Sequence, residues 1–302
     1  MTYLYRWIPI WLAILFLSGC SKEEPPYQPQ FSSHAPADNI RDINFGVHPL
    51  HNPQRLSELY GPIMDYLSAR IKGVSFHLEA SRNYAEYNKK LYAGHFEFAL
   101  PNPYQTIRAL DHGYHVFGKM GDDHNFRAIL LVRHDSDIKE LVDLKGRKVS
   151  YPARTALAPT MMMQYYLQTH GLDVDHDTES VYVGSQESSI MNAYLGNVAA
   201  GATWPIPWIS FQKEHPDMAQ ELEVKWQTEP LINNAVVARG DMPPELVHNV
   251  AEVLFHLHET PAGRAMLKRL PLSRFEPADD ATYDVVRTFI AKYSKTVHPV
   301  EQ

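Results

Sequence analysis

Arg154 and Thr155 lie just after a proline turn and just ahead of a helix start, in the stretch 147–163, RKVSYPARTALAPTMMM. A strand over 149–151 is expected to run into the turn at Pro152, with a helix opening near Pro159 and Thr160. One guanidinium, one hydroxyl and several unpaired backbone N–H groups would then share a helix N-terminus. Such an end carries partial positive charge and free donors, so it favours an anion. The alternative is an ordinary strand-to-helix turn whose arginine is a solvated surface charge. Desolvation of Arg154 separates the two readings.

Other chemistries lack their residues. Gly184-Ser185-Gln186-Glu187-Ser188 begins like a nucleophile elbow but has no closing glycine. Neither a P-loop nor a His-Glu-x-x-His helix occurs. The chain is therefore not expected to be an enzyme. Of the sixteen histidines, His48 and His51 share a crevice loop and form the best-placed pair. Two imidazoles without a carboxylate partner are a poor metal site, and His256 and His258, two apart on a helix, point to different faces. No metal and no cofactor are expected. Met161, Met162 and Met163 read as helix packing.

The elements that must position these residues follow from periodicity. Residues 43–47 alternate as a strand, and Asn52-Pro53 supplies a cap and a first-turn proline. Leu56, Leu59, Tyr60, Ile63, Met64 and Leu67 then follow the spacing of one buried helix face. A strand over 74–79, a helix from Tyr84 to Tyr92 and an apolar strand over 96–100 come next, and Asn102-Pro103 repeats the helix start. This alternation predicts a mostly parallel sheet whose strand-end loops form a ligand crevice. A second array is expected from a strand over 126–133, a short helix over 136–144, the opening stretch and strands over 181–183, 198–203 and 222–226. A strand over 231–238 and helices after Pro243, from Pro261 and over 279–293 complete the chain. His112 and His115 are expected in a loop. Tyr104 and Trp204 fall at strand-to-helix crevice positions, where an aromatic can serve either the core or a ligand.

Residues 1–19 read as a lipoprotein signal peptide: Arg6 is the positive end, residues 7–17 are apolar, and Leu17-Ser18-Gly19 precedes Cys20. Cys20 is the only cysteine of the 302 residues, so it is the expected lipidation site and no disulfide is expected. Residues 20–39, rich in Pro, Ser, Gln and Glu, read as a lipidated flexible tether. The net charge of −7 argues against nucleic acid and offers an anion no long-range steering.

Phe45-Gly46-Val47-His48-Pro49, Glu97-Phe98-Ala99-Leu100-Pro101-Asn102-Pro103-Tyr104, and the runs 128–133 and 138–146 occur in that order. Together they resemble the phosphate-, phosphite- and phosphonate-binding group of periplasmic solute-binding proteins. The resemblance spans roughly residues 43–257. It implies an α/β, two-lobed periplasmic binding protein of type II, with a cleft between the lobes. On this chain it puts lobe 1 at 40–127 and 228–302 and lobe 2 at 128–227, with crossings near 126–132 and 226–237. It implies a small oxyanion-bearing ligand held by Arg154, Thr155, Ala156, Tyr104, Asn102, His48, Gln186, Ser185 and Trp204.

Where relatives that bind phosphonates show Ser-Thr-Ser, this chain reads Arg154-Thr155-Ala156. Gln186 stands at the place of a family histidine, and Trp204 at that of an acidic residue. An acidic group suits a ligand amine or P–OH, whereas tryptophan suits an apolar group. The partner implied is the membrane permease of an ABC transporter; a membrane sensor, kinase or cyclase, is the alternative. The protein is expected to be exported, monomeric and lipid-anchored to the envelope membrane on its periplasmic side.

Overall fold

The computed structural model describes residues 40–300; the signal sequence, Cys20 and the tether lie outside the described residues. Among the described residues, eleven strands form two sheets, flanked by helices. They are β1 Arg41–Val47, β2 Val74–Ala80, β3 Phe98–Leu100, β4 Tyr114–Met120, β5 Ile129–Arg133, β6 Arg147–Tyr151, β7 Thr178–Tyr182, β8 Ala200–Thr203, β9 Leu222–Gln227, β10 Ala235–Arg239 and β11 Phe275–Pro277. The six-stranded sheet runs β11-β4-β10-β3-β1-β2 and the five-stranded sheet β7-β6-β8-β5-β9. β1 pairs in parallel with β2 and β3, while β10 lies antiparallel to both β3 and β4. β1 to β4 therefore all point one way. In the second sheet β6 pairs in parallel with β7 and β8, and the chain that returns through β5 is antiparallel to β8 and β9.

Two segments cross between the sheets, and they pair with each other. Ala128 N–H donates to Thr228 Oγ1 at 3.0 Å, Thr228 N–H to the Ala128 carbonyl at 3.0 Å, and Leu231 N–H to the Phe126 carbonyl at 2.8 Å. Backbone groups leaving one sheet for another would otherwise be unpaired.

The helix starts follow their caps. Asn52 accepts from Arg55 N–H at 2.9 Å and Pro53 occupies the first turn of the helix Pro53–Arg70. That helix buries Leu56, Leu59, Tyr60, Ile63, Met64 and Leu67 against the first sheet. A fully buried leucine contributes about 1.5–3 kcal/mol, so six such positions outweigh the helix's weak local preference.

Two local expectations change. The short helix over 136–144 contracts to a 3₁₀ turn, Leu141–Leu144. The Asp143 carboxylate takes the N–H groups of both Lys139 and Glu140 at 2.8 Å, capping the start of the turn. His115 lies on β4 rather than in a loop; Tyr114 and Val116 face inward and His115 outward, a period of two. Gly118 interrupts the pattern there because a Cβ would sit 2.8 Å from the Phe255 ring. At the expected strand-to-helix position, Trp204-Pro205-Ile206-Pro207 opens a helix, Pro205–Glu214. Both prolines fall in its first turn, where no N–H is needed.

Candidate functional site

Where the two lobes meet, strand-end loops from both sheets surround a small cavity whose lining side chains are buried. Its floor is the start of the helical run that follows β6. Residues Leu157–Met162 form a π-helical turn continuing into the α-helix Met163–Thr169. Thr160 and Met161 N–H both reach the Ala156 carbonyl, at 3.0 and 3.4 Å. Leu157 and Ala158, which line the cavity, keep the unpaired N–H groups of a helix start. The expected opening near Pro159 moves two residues toward the N-terminus because Pro159, lacking an N–H, sits comfortably inside that first turn.

His48 lies in the loop after β1 and is 2 % exposed. Its Nδ1 is 2.9 Å from the Leu100 carbonyl, which can only accept. The ring hydrogen is therefore on Nδ1, and Nε2 presents a lone pair. Burial lowers the His48 pKa to about 4, against the opposing pull of the Leu100 bond. Burial, Arg55 and His48 together lower that of His51 to about 3. Both imidazoles are neutral near pH 7, so this histidine pair brings no charge to the cavity. Among the described residues no group of three or more His, Cys, Asp or Glu side chains is placed to hold a metal.

Asn102 is a buried cap with a second task. It forms a reciprocal capping box with Gln105, each bond 3.0 Å, and its Nδ2 donates across the cleft to the Thr155 carbonyl at 2.9 Å. Gln186 also bridges the lobes, donating to Tyr84 Oη at 3.2 Å while accepting from Thr203 Oγ1 at 3.0 Å. Burial pushes the Tyr84 pKa up, so the phenol keeps its proton. Trp204 caps the far wall, edge-to-face with Phe126 at 5.4 Å. Asn234 completes the lining. Its Nδ2 faces Met120 Sδ at 3.5 Å, and its Oδ1 has no hydrogen-bond partner.

Of the expected site residues, His48, Asn102, Ala156, Gln186 and Trp204 thus share the enclosed cavity. Arg154, Thr155 and Tyr104 instead line an outer pocket of about 390 Å³, together with Tyr293, His298 and the last described residues. Arg154 is exposed, its guanidinium 4.4 Å from the centre of the Tyr182 ring. Thr155 Oγ1 accepts a 3.4 Å bond from Asn88. Ser185 belongs to neither pocket; it caps the helix Gln186–Tyr194, accepting from Ser188 N–H at 3.1 Å. Sequence reasoning missed Tyr84, Phe126 and Asn234 as cavity residues. The last had a signal: two consecutive asparagines interrupt the apolar run 231–238.

The buried cavity, the helix start on its floor and the paired crossings describe the two-lobed α/β fold of a periplasmic binding protein. The sequence profile of the ABC transporter, phosphonate, periplasmic substrate-binding protein family matches residues 45–283, and the chain belongs to that family. A curated relative assigned as the phosphite-binding protein PhnD1 of an ABC transporter in Prochlorococcus marinus is 25 % identical over 135 residues. That match spans 42 % of this chain and 46 % of the relative, about half its length. Two solved structures share the fold. A binding-protein component of an ABC phosphonate transporter from Pseudomonas aeruginosa aligns with a TM-score of 0.79 at 16 % identity, covering 85 % of this chain and 88 % of that one. PhnD1 of P. marinus, solved with methylphosphonate, aligns at 0.77 and 19 % identity, covering 84 % and 99 %.

Proposed function

We propose that this chain captures a small phosphonate-like oxyanion for an ABC importer. In this reading lobe 1 is 40–127 with 228–302, lobe 2 is 128–227, and the ligand lies between them in the enclosed cavity. The observation that carries it is the start of the helical run at Leu157 and Ala158 on a cavity lined by buried side chains. Free N–H groups and the positive end of the run suit an anion, and the small buried cavity suits a small one. Tyr84, Asn102 and Trp204 supply further donors, and Trp204 with Phe126 offers a wall for an alkyl substituent. Arg154, Thr155 and Tyr104 form the mouth, where Arg154 meets the anion while both are still hydrated.

The membrane permease of the importer is the proposed partner, with the protein acting as a monomer. Cys20 carries the lipid that holds it to the envelope membrane on the periplasmic side. Palmitate should label the wild type and leave Cys20→Ala unlabelled.

Titration calorimetry with phosphite, methylphosphonate, phosphate and 2-aminoethylphosphonate tests the ligand class. Methylphosphonate or phosphite should bind best. 2-Aminoethylphosphonate should bind at least about tenfold more weakly, since Trp204 offers its ammonium no carboxylate and the cavity little room. Absence of binding by all four would contradict the reading.

A further inference from the structure

The cavity accepts hydrogen bonds as well as donating them. We propose that Asn234 and His48 make it selective for an oxyanion that still carries a proton, a phosphonate monoanion rather than a sulfonate. This rests on the cavity being the ligand site, as proposed above.

The orientation of Asn234 is fixed by chemistry. Met120 Sδ, 3.5 Å from one amide atom, carries no hydrogen, so the atom facing it is the nitrogen and the other is the oxygen. That oxygen is buried and lacks a partner in a side chain with no exposed surface. The Asn234 N–H is already used by Asn233 Oδ1 at 2.8 Å, so the local turn is satisfied and only the side-chain oxygen is left over. His48 adds a second acceptor. The Leu100 carbonyl holds its hydrogen on Nδ1, and among the described residues Nε2 has no partner. Burial keeps this ring neutral down to about pH 4, so it stays an acceptor throughout the neutral range.

A buried acceptor left without a donor costs free energy, and a ligand can supply the donor. The methylphosphonate monoanion and methanesulfonate have the same charge and nearly the same tetrahedral shape. They differ by one hydrogen: the phosphonate has an O–H, and the sulfonate has only oxygen lone pairs. Against Asn234 Oδ1 and His48 Nε2 the sulfonate meets lone pairs with lone pairs, whereas the phosphonate shares its one hydroxyl hydrogen between these two acceptors and turns its remaining oxygens toward Leu157, Ala158 and Tyr84. Trp204, where relatives have an acidic residue, leaves the acceptor role to these two neutral groups. Rejecting a wrong ligand by leaving polar groups unpaired is a strong form of specificity.

The test is calorimetry of the wild type with methylphosphonate and methanesulfonate in mildly acidic buffer, where the phosphonate is a monoanion and His48 is neutral. Methylphosphonate should bind about 100-fold more tightly. Asn234→Leu, close to isosteric, and His48→Phe should each shrink that ratio about tenfold, chiefly by weakening phosphonate binding. Equal affinity of the wild type for the two ligands would overturn the selectivity while leaving the cavity as the ligand site. A large ratio unchanged in both variants would overturn the assignment to these residues. Binding of neither ligand would defeat the reading of the cavity itself. Thermal unfolding of each variant comes first, and the wild-type ratio decides if a variant does not fold.

Discussion

The enclosed cavity and the outer pocket are neighbours, with Thr155 lining the outer and Ala156 the inner one. Their chemistry is opposite. The outer pocket has the formal charge, on exposed Arg154, and a half-buried histidine, His298. The inner one has no charged side chain; it offers backbone N–H groups, amides, a phenol and a neutral imidazole. An exposed guanidinium is screened by water and salt, whereas fixed dipoles in a dry cavity keep most of their strength. In the proposed reading the more conspicuous residue therefore sits where it contributes least to holding the ligand.

That contrast is best broken by filling the inner cavity. Ala156 is 1 % exposed and lines it, so Ala156→Leu should put side-chain atoms where the ligand belongs. Calorimetry should show affinity down more than about 100-fold, while overpacking costs about 1–3 kcal/mol of stability. Retained affinity would move the ligand to the outer pocket.

The neutrality of the inner site has its own signature. The folded-state pKa of His48 is about 4, below the ordinary 6.5, so in acid the unfolded chain takes up a proton that the folded one refuses. Stability is then complete above about pH 6.5 and falls as pH drops toward about 4. His48 alone accounts for about 3 kcal/mol over that window, and His51 extends the loss to lower pH. Urea unfolding at about pH 7 and about pH 4.5 measures this slope, which His48→Phe should flatten.

The smallest effect belongs to the mouth. Arg154→Ala should change equilibrium affinity less than about fivefold and act mainly on the association rate, with the difference vanishing in high salt. A loss of about 100-fold would mean that Arg154 is buried against the ligand in the complex.

Much of this architecture is legible in the sequence because it depends on local chemistry. Asn52-Pro53 and Asn102-Pro103 start helices through their own side chains, and the alternation of apolar strands and amphipathic helices marks two α/β arrays. The loop after β6 also shows itself as a helix start. What the sequence withholds is which side of that loop faces inward. Only Thr155 separates exposed Arg154 from buried Ala156, and the sense of the turn is set by the Thr155 carbonyl bond to Asn102, 53 positions earlier. Tyr84 is similarly hidden. As the first residue of its helix it resembles any amphipathic aromatic, and only the meeting of the lobes brings it to Gln186, 102 positions later. β4 escapes because glycine and lysine blur its alternation.

A crystal structure of the complex with methylphosphonate puts the contrast to its most direct trial. The phosphonate oxygens should lie within hydrogen-bonding distance of the Leu157 and Ala158 N–H groups, in the cavity closed by Trp204 and Tyr84, with Arg154 left in solvent. A phosphonate bound in the outer pocket against Arg154, with the inner cavity filled by water, would contradict it.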